Sequence, residues 1–287
     1  MNIISGFSML HRIAVADPQL PDIKPLLAEW LPHRLRRVDR YIELCVAGGL
    51  NCVGGRQLPA DTGLYVASRA GAVATAALNM DSITRLGQMP KPLNFVNGLG
   101  NSASFHLATA LGLGSNTVVL SQEQLSFEAA LLHAWLDVQA GVISTALVGG
   151  VDEVPLPIAD QLRRLHSPDA HALLEGSHWL LLDNSATTGV SIDKIDLLHG
   201  DDLAPWLQTA DLTAVMCSFA PDTAEQAVFD HAGLEIQRCL PEGVAHGVYS
   251  GHSLVQCYQQ VPEQGRLCHL SRNDDGGYGA VILRASH

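Results

Sequence analysis

Apolar runs along this chain are short, and the change in their period marks its elements. Thr117-Val118-Val119-Leu120-Ser121 is β-branched, is bounded by polar residues and reads as a buried strand. From about Leu125 to Ala140 the residues are apolar nearly all round a helical wheel, with Glu128, His133 and Asp137 as the few polar positions, so a largely buried helix is expected. Gly141 closes it, and VISTALVGG over 142–150 reads as a second buried strand running into a glycine pair. Strand, helix and strand in that order imply parallel pairing with a right-handed crossover.

Upstream, GAVATAALNMDSITRL (71–86) and ASFHLATALGLG (103–114) have Ala-rich helical compositions, the second opened by Asn101 and Ser102 as N-caps and closed by glycines. Downstream, strands are expected at 179–183, 190–198, 212–217 and 280–284 and helices at 222–232 and 250–259. Turns are marked at 184–185, 199–201 and 274–277. No low-complexity linker and no repeat of 20 to 50 residues is visible. VDEVPLPIAD (151–160), with Pro155 and Pro157, is the internal junction, dividing one unit of 1–287 into halves of about 1–153 and 154–287. A layered α/β fold follows.

At 47% hydrophobic and 5% aromatic, the 287 residues can bury a full core. Every apolar run is broken well short of the roughly 20 residues a membrane helix needs, and the first 22 residues lack the basic start and long apolar stretch of a signal peptide. No membrane span and a cytoplasmic location are the expectations. Six cysteines are scattered without a CxxC pair and read as reduced thiols. Seventeen Lys and Arg against 29 Asp and Glu give a net charge of −12, which opposes nucleic acid and any strongly acidic partner. One basic cluster stands out: His33-Arg34-Leu35-Arg36-Arg37, with Arg40 a turn later, reads as part of a helix, either a solvated face or a subunit contact.

Gly98-Leu99-Gly100-Asn101-Ser102-Ala103 matches a dinucleotide GxGxxA, but KPLNFVN before it is a poor strand and no acid follows at the end of a second strand, so a helix-packing turn is expected. His166 and His171 fit no zinc spacing and read as a polar loop. Ser250-Gly251-His252-Ser253 lacks the spacing of a nucleophile elbow. No cofactor and no metal is implied.

The block from Asn94 to Asp152 resembles the central block of β-ketoacyl synthases: a small-residue helix, a glycine-containing turn, a strand, a nucleophilic cysteine opening a buried helix, then a strand ending in Gly149-Gly150. That resemblance implies a thiolase-like five-layer αβαβα fold, truncated relative to full ketosynthases. Counting back from Ala134 puts the nucleophile position at Gln124, where an amide cannot form the acyl thioester that the family's cysteine carries. The match continues more faintly. Gly247 to His252 resembles the segment bearing the family's second active-site histidine, at His252, and Arg272 to Gly279 resembles the glycine-rich loop before the last strand. Where the first histidine belongs the chain has Met216 to Thr223, with Ser218 nearest the position and no histidine.

A glutamine at the nucleophile position resembles the chain-length factors of type II polyketide synthases, the shorter form most like those of aryl polyene clusters. The resemblance implies a subunit without chemistry of its own that heterodimerises with an active ketosynthase and shapes its acyl tunnel. Phe95, Val96, Leu99 and Phe105 lie where the family places tunnel-facing interface residues, ordinary core being the other reading. The acyl carrier protein, itself acidic, would dock on the partner. A malonyl-carrier decarboxylase of the glutamine-ketosynthase type is the alternative; that type keeps both histidines. An acyltransferase using Ser126 with His252 is a third.

Overall fold

A computed structural model describes residues 1–245 and 247–286. Ten strands form one sheet in the order β3-β2-β4-β5-β1-β6-β10-β9-β7-β8. They are β1 (Asn2–Ala14), β2 (Gly63–Ala67), β3 (Thr117–Leu120), β4 (Thr145–Asp152), β5 (Ala172–Asp183), β6 (Gly189–Leu198), β7 (Ala214–Cys217), β8 (Glu235–Arg238), β9 (Arg266–Arg272) and β10 (Tyr278–Ser286). The helices are α1 (Lys24–Ala28), α2 (Arg40–Val53), α3 (Val73–Thr84), α4 (Pro92–Asn97), α5 (Ser102–Leu111), α6 (Ser126–Gln139), α7 (Ile158–Arg164), α8 (Leu203–Thr209), α9 (Thr223–Ala232) and α10 (Tyr249–Tyr258).

The strand order repeats. β3-β2-β4-β5-β1 and β8-β7-β9-β10-β6 are the same path walked twice, joined where Asn2 and Ile3 of β1 meet Ser191 and Val190 of β6. Both sets run parallel through their outer three strands and antiparallel through the inner pairs. The topological division therefore falls at 183–189. The proline-containing segment 151–160, expected as the junction, lies inside the first set, because β5 pairs with both β4 and β1.

Burial arranges these elements in five layers. Between the two halves α6 and α10 supply Phe127, Leu131, Ala134, Leu254 and Val255 to a core that also takes Val148, Leu180, Met216 and Val281 from both strand sets. On the far side of the first set, α2 and α5 pack Leu44, Val46 and Leu107 against Leu147, Trp179 and Leu181. On the far side of the second, α8 and α9 pack Leu203, Leu207 and Phe229 against Val215 and Leu270. The αβαβα architecture implied by the sequence is the one observed.

The glycine pair Gly149-Gly150 within β4 serves both neighbouring layers. A Cβ on Gly149 would stand 2.2 Å from the Trp179 ring, and one on Gly150 would stand 2.8 Å from Phe127 at the start of α6. Alternation along a strand sends these two contacts to opposite faces.

Two expectations change. The basic run 33–37 is not helical: Arg37 sits at φ 59° and Asp39 caps α2 by accepting from the Ile42 amide at 3.0 Å, so the helix begins at Arg40. KPLNFVN forms α4, with Pro92 in its first turn, and the GxGxxA stretch is the turn between α4 and α5 with no strand before it. Among the described residues no helix is long and apolar enough to cross a membrane.

Candidate functional site

The strand-to-helix turn after β3 carries Gln124. Glu123 is held at φ 48°, a conformation uncommon outside glycine. Ser126, buried at the first position of α6, fixes it: its hydroxyl accepts from the Gln122 amide at 2.7 Å and donates to the Glu123 carbonyl at 2.7 Å. The turn throws two side chains outward. Glu123 pairs with Arg69 Nε at 2.7 Å, and the Gln124 amide donates to Asp274 in the glycine-rich turn between β9 and β10. Gln124 is thus tied to the second half of the chain, and Ser126 is spent on backbone.

All six sulfurs are free, five are buried, and burial lifts the Cys52 and Cys217 thiols to about 12. The position resembling the first histidine is filled otherwise. Ser218 follows β7 with its amide on Leu270 O at 3.0 Å, and the adjacent Phe219 ring lies 4.7 Å under the Arg272 guanidinium. Arg272 bonds both Glu225 oxygens at 2.7 and 2.8 Å. Neither Ser218 nor this network places an imidazole here.

His252, in the first turn of α10, meets two residues the sequence did not single out. Ser8 Oγ on β1 lies 2.7 Å from His252 Nδ1 and 2.8 Å from His178 Nδ1 on β5, and the two imidazoles are 5.5 Å apart. A serine hydroxyl has one proton, so it donates to one Nδ1 and accepts from the other. When both rings are neutral they therefore hold opposite tautomers. The Tyr249 ring lies 5.4 Å from His252. The available signal was His178 itself, which shares the parity of Leu180 and Leu182 on an otherwise apolar strand face facing the central layer. Ser8 had none, for β1 shows no alternation.

Two buried acids support the site. Asp152, at the end of β4, accepts from Ser68 Oγ at 2.6 Å, the Arg69 amide at 3.0 Å and the Val248 amide at 3.1 Å, fastening the end of β2 to the entry of α10. Glu128, one turn along α6 from Gln124, accepts from Ser250 of α10 at 3.0 Å, while its other oxygen has no partner. Burial pushes this carboxyl up to about 7. Behind it on β9, His269 is wholly buried with neither nitrogen bonded, and burial drives it down to about 3.

Phe95, Val96, Leu99 and Phe105 are not core. They are 59, 53, 43 and 65% exposed, and Leu78, Met80, Ile83, Leu86, Met89 and Leu93 continue the same apolar run. This run lies on α3, α4, α5 and their connections, in the crossover that leads to edge strand β3. Among the described residues no three His, Cys, Asp or Glu side chains are grouped to hold a metal.

No family model matches the sequence, and no curated protein matches it. Solved structures do. The ishigamide ketosynthase/chain length factor superposes with a TM-score of 0.72 at 17% identity, over 99% of each chain. AntDE, the ketosynthase solved with its type II polyketide acyl carrier protein AntF, gives 0.73 at 12% identity, again over 99% of each. The oxazolomycin ketosynthase domain OzmH KS7 of Streptomyces albus JA3453 gives 0.69 at 13% identity, with 88% of this chain on 60% of that one.

Proposed function

Because the chain has the thiolase-like fold of ketosynthases, we propose that it is a chain-length factor: a subunit that carries out no condensation itself, pairs with an active β-ketoacyl synthase and walls that partner's acyl tunnel. The observation that carries this reading is the exposed apolar run from Leu78 to Phe105 in the crossover to edge strand β3. Exposed apolar residues concentrated in one segment in this way suit a surface covered by a partner. Gln124, bonded to Asp274 at the position where an acyl thioester would form, supports the absence of condensing chemistry. The resemblance of its motifs, with a degenerate second half, favours the aryl polyene class of type II polyketides. Its net charge of −12 directs an acidic acyl carrier protein to the partner.

Co-expression with an active type II β-ketoacyl synthase as candidate partner, followed by size exclusion, tests the pairing. A one-to-one complex is expected, and persistent monomers or homodimers would count against it. Phe95→Ala with Phe105→Ala is expected to lengthen the complex's product by at least one extension unit.

One observation favours a second reading, malonyl-carrier decarboxylation. His178 gives His252 the histidine neighbour that the Ser218 segment does not, and paired imidazoles can stabilise the enolate formed when carbon dioxide leaves. Turnover of malonyl carrier protein by the purified chain, lost in His252→Ala, would establish that activity and remove the claim of no chemistry.

A further inference from the structure

The basic run 33–37 has no role in the proposed pairing, and it borders a mostly apolar hollow away from the site. Under residues 31–35 lies a cavity of about 400 Å³ between α1 and the start of α2. Leu27, Leu31 and Leu35 form its walls, and Lys24 and Arg34 stand at its rim with Glu43 as the one acid. Leu27 belongs to the outer core of the first half, so this wall is fixed. The far end of the segment is fixed as well: Asn97 donates to the Arg37 carbonyl at 3.0 Å, and Asp39 accepts from Thr75 Oγ1 at 2.7 Å. Lys24 and Arg34 form no ion pair with any described residue, while Arg40 is committed to buried Glu175. Five of the chain's 17 Lys and Arg lie between residues 24 and 40 of a molecule whose net charge is −12. Burial raises the Glu43 carboxyl even though Lys24, Arg40 and Arg34 pull it down, as expected of a poorly hydrated hollow.

We propose that this cavity binds an anionic amphiphile, its apolar tail against Leu27, Leu31 and Leu35 and its carboxylate or phosphate head between Lys24 and Arg34. The volume is within the range of small-molecule sites. It takes roughly a dozen heavy atoms at about 30 Å³ each, which is the size of decanoate. The site lies outside the Leu78–Phe105 face, so it does not depend on the pairing proposed above.

Calorimetric titration of the full chain with decanoate tests it. One saturable site is expected, with decanol and butyrate each binding at least tenfold more weakly and added salt weakening decanoate alone. Lys24→Gln with Arg34→Gln, both at exposed positions, should bring decanoate down about tenfold to the level of decanol, leave decanol unchanged and leave the thermal midpoint unchanged. Arg34→Lys should keep most of the decanoate affinity. Equal binding of butyrate or inorganic phosphate would show an anion site without a tail pocket, and equal binding of decanol an apolar hollow without a head-group site. Attachment to phosphatidylglycerol vesicles without uptake of free decanoate would show a membrane-facing patch, and no saturable decanoate binding would leave the cavity without this ligand. Each of these results overturns the proposal.

Discussion

The two ends of the sheet have the same topology and opposite surfaces. β3 and β8 are equivalent edge strands, each reached from its neighbour by a helical crossover, over 68–116 in the first half and 218–234 in the second. β8 reads Glu-Ile-Gln-Arg, with Glu235 and Arg238 exposed, and its crossover is the single helix α9. Charged residues along an edge discourage strand addition. β3 reads Thr-Val-Val-Leu, and its crossover holds ten exposed large hydrophobic residues. A duplicated frame thus has one edge protected against pairing and one furnished for it.

The strongest way to break this contrast is to charge the furnished side. Leu99→Glu with Phe105→Glu is expected to weaken assembly with the ketosynthase partner by at least a hundredfold, which at about 1.4 kcal/mol per tenfold is about 3 kcal/mol. Both side chains are exposed in the monomer, so its thermal midpoint should not change. The same load on the protected side, as Ala224→Glu with Ala227→Glu on α9, should leave assembly unchanged. Analytical ultracentrifugation of the mixed subunits measures both, and equal loss in the two variants would remove the distinction between the edges.

Much of the inner frame was legible in the sequence, and the reason is physical. β3, α6 and β4 are predominantly apolar segments, because both faces of β4 and eight of the fourteen residues of α6 are buried. The turn at Gln124 followed from register. β1 was not legible: it lies mid-sheet with layers on both faces, and it keeps Gly6 small where a Cβ would stand 3.2 Å from Tyr258. α2 was hidden by Gly48-Gly49, which resembles a turn. A Cβ on Gly48 would stand 2.1 Å from Ser177 Oγ and one on Gly49 2.4 Å from Leu107, so both glycines serve close packing inside a helix. The Ser8, His178 and His252 cluster joins residues more than 70 positions apart, and no spacing rule could reach it.

Where the halves meet, the contrast can be read through pH. Glu128 belongs to the first half and its donor Ser250 to the second. A carboxyl raised from about 4.5 to about 7 contributes stability that is complete below pH 4.5 and is lost as the pH rises through 7. Glu153, raised to about 7 by burial, adds a loss of the same sign. His269, lowered to about 3, acts oppositely, its contribution being lost as the pH falls from 6.5 towards 3. Glu128→Gln should therefore flatten the decline between pH 4.5 and 7 and raise stability at pH 8 by on the order of 2–3 kcal/mol. Urea denaturation across that range measures it, and an unchanged slope would show that Glu128 does not hold its proton in the folded chain.

Removing the charges from the protected edge should give a smaller effect. Glu235→Val with Arg238→Val leaves β8 uncharged, and self-association is expected to strengthen about tenfold, or about 1.4 kcal/mol. Light scattering at increasing concentration follows it. If the variant stays as monomeric as the parent, the two charges are not what protects this edge.

The smallest effect concerns how each crossover is held. α9 opens with a capping box: Asp222 accepts from the Ala224 and Glu225 amides at 2.9 Å, and Glu225 accepts from the Asp222 amide at 2.7 Å. The N-cap residues of α3 and α5, Ala72 and Asn101, make no side-chain cap bond, and the Ala74 amide in the first turn of α3 is held from outside the crossover by Glu153 Oε1 at 2.9 Å. Asp222→Ala should cost about 1 kcal/mol, the usual loss when an N-cap acceptor is removed, and Asp222→Asn should recover most of it. Ala72→Asp at the start of α3 would crowd a residue buried in the outer core and set a second carboxylate beside Glu153, which already accepts from the Ala74 amide, so the net change there is expected to be unfavourable. The short crossover is closed by its own residues. The long one is left to be closed by what covers its apolar face, and hydrogen exchange at the α3 to α5 amides, slowed by the partner while α9 amides are not, is the measurement that distinguishes them.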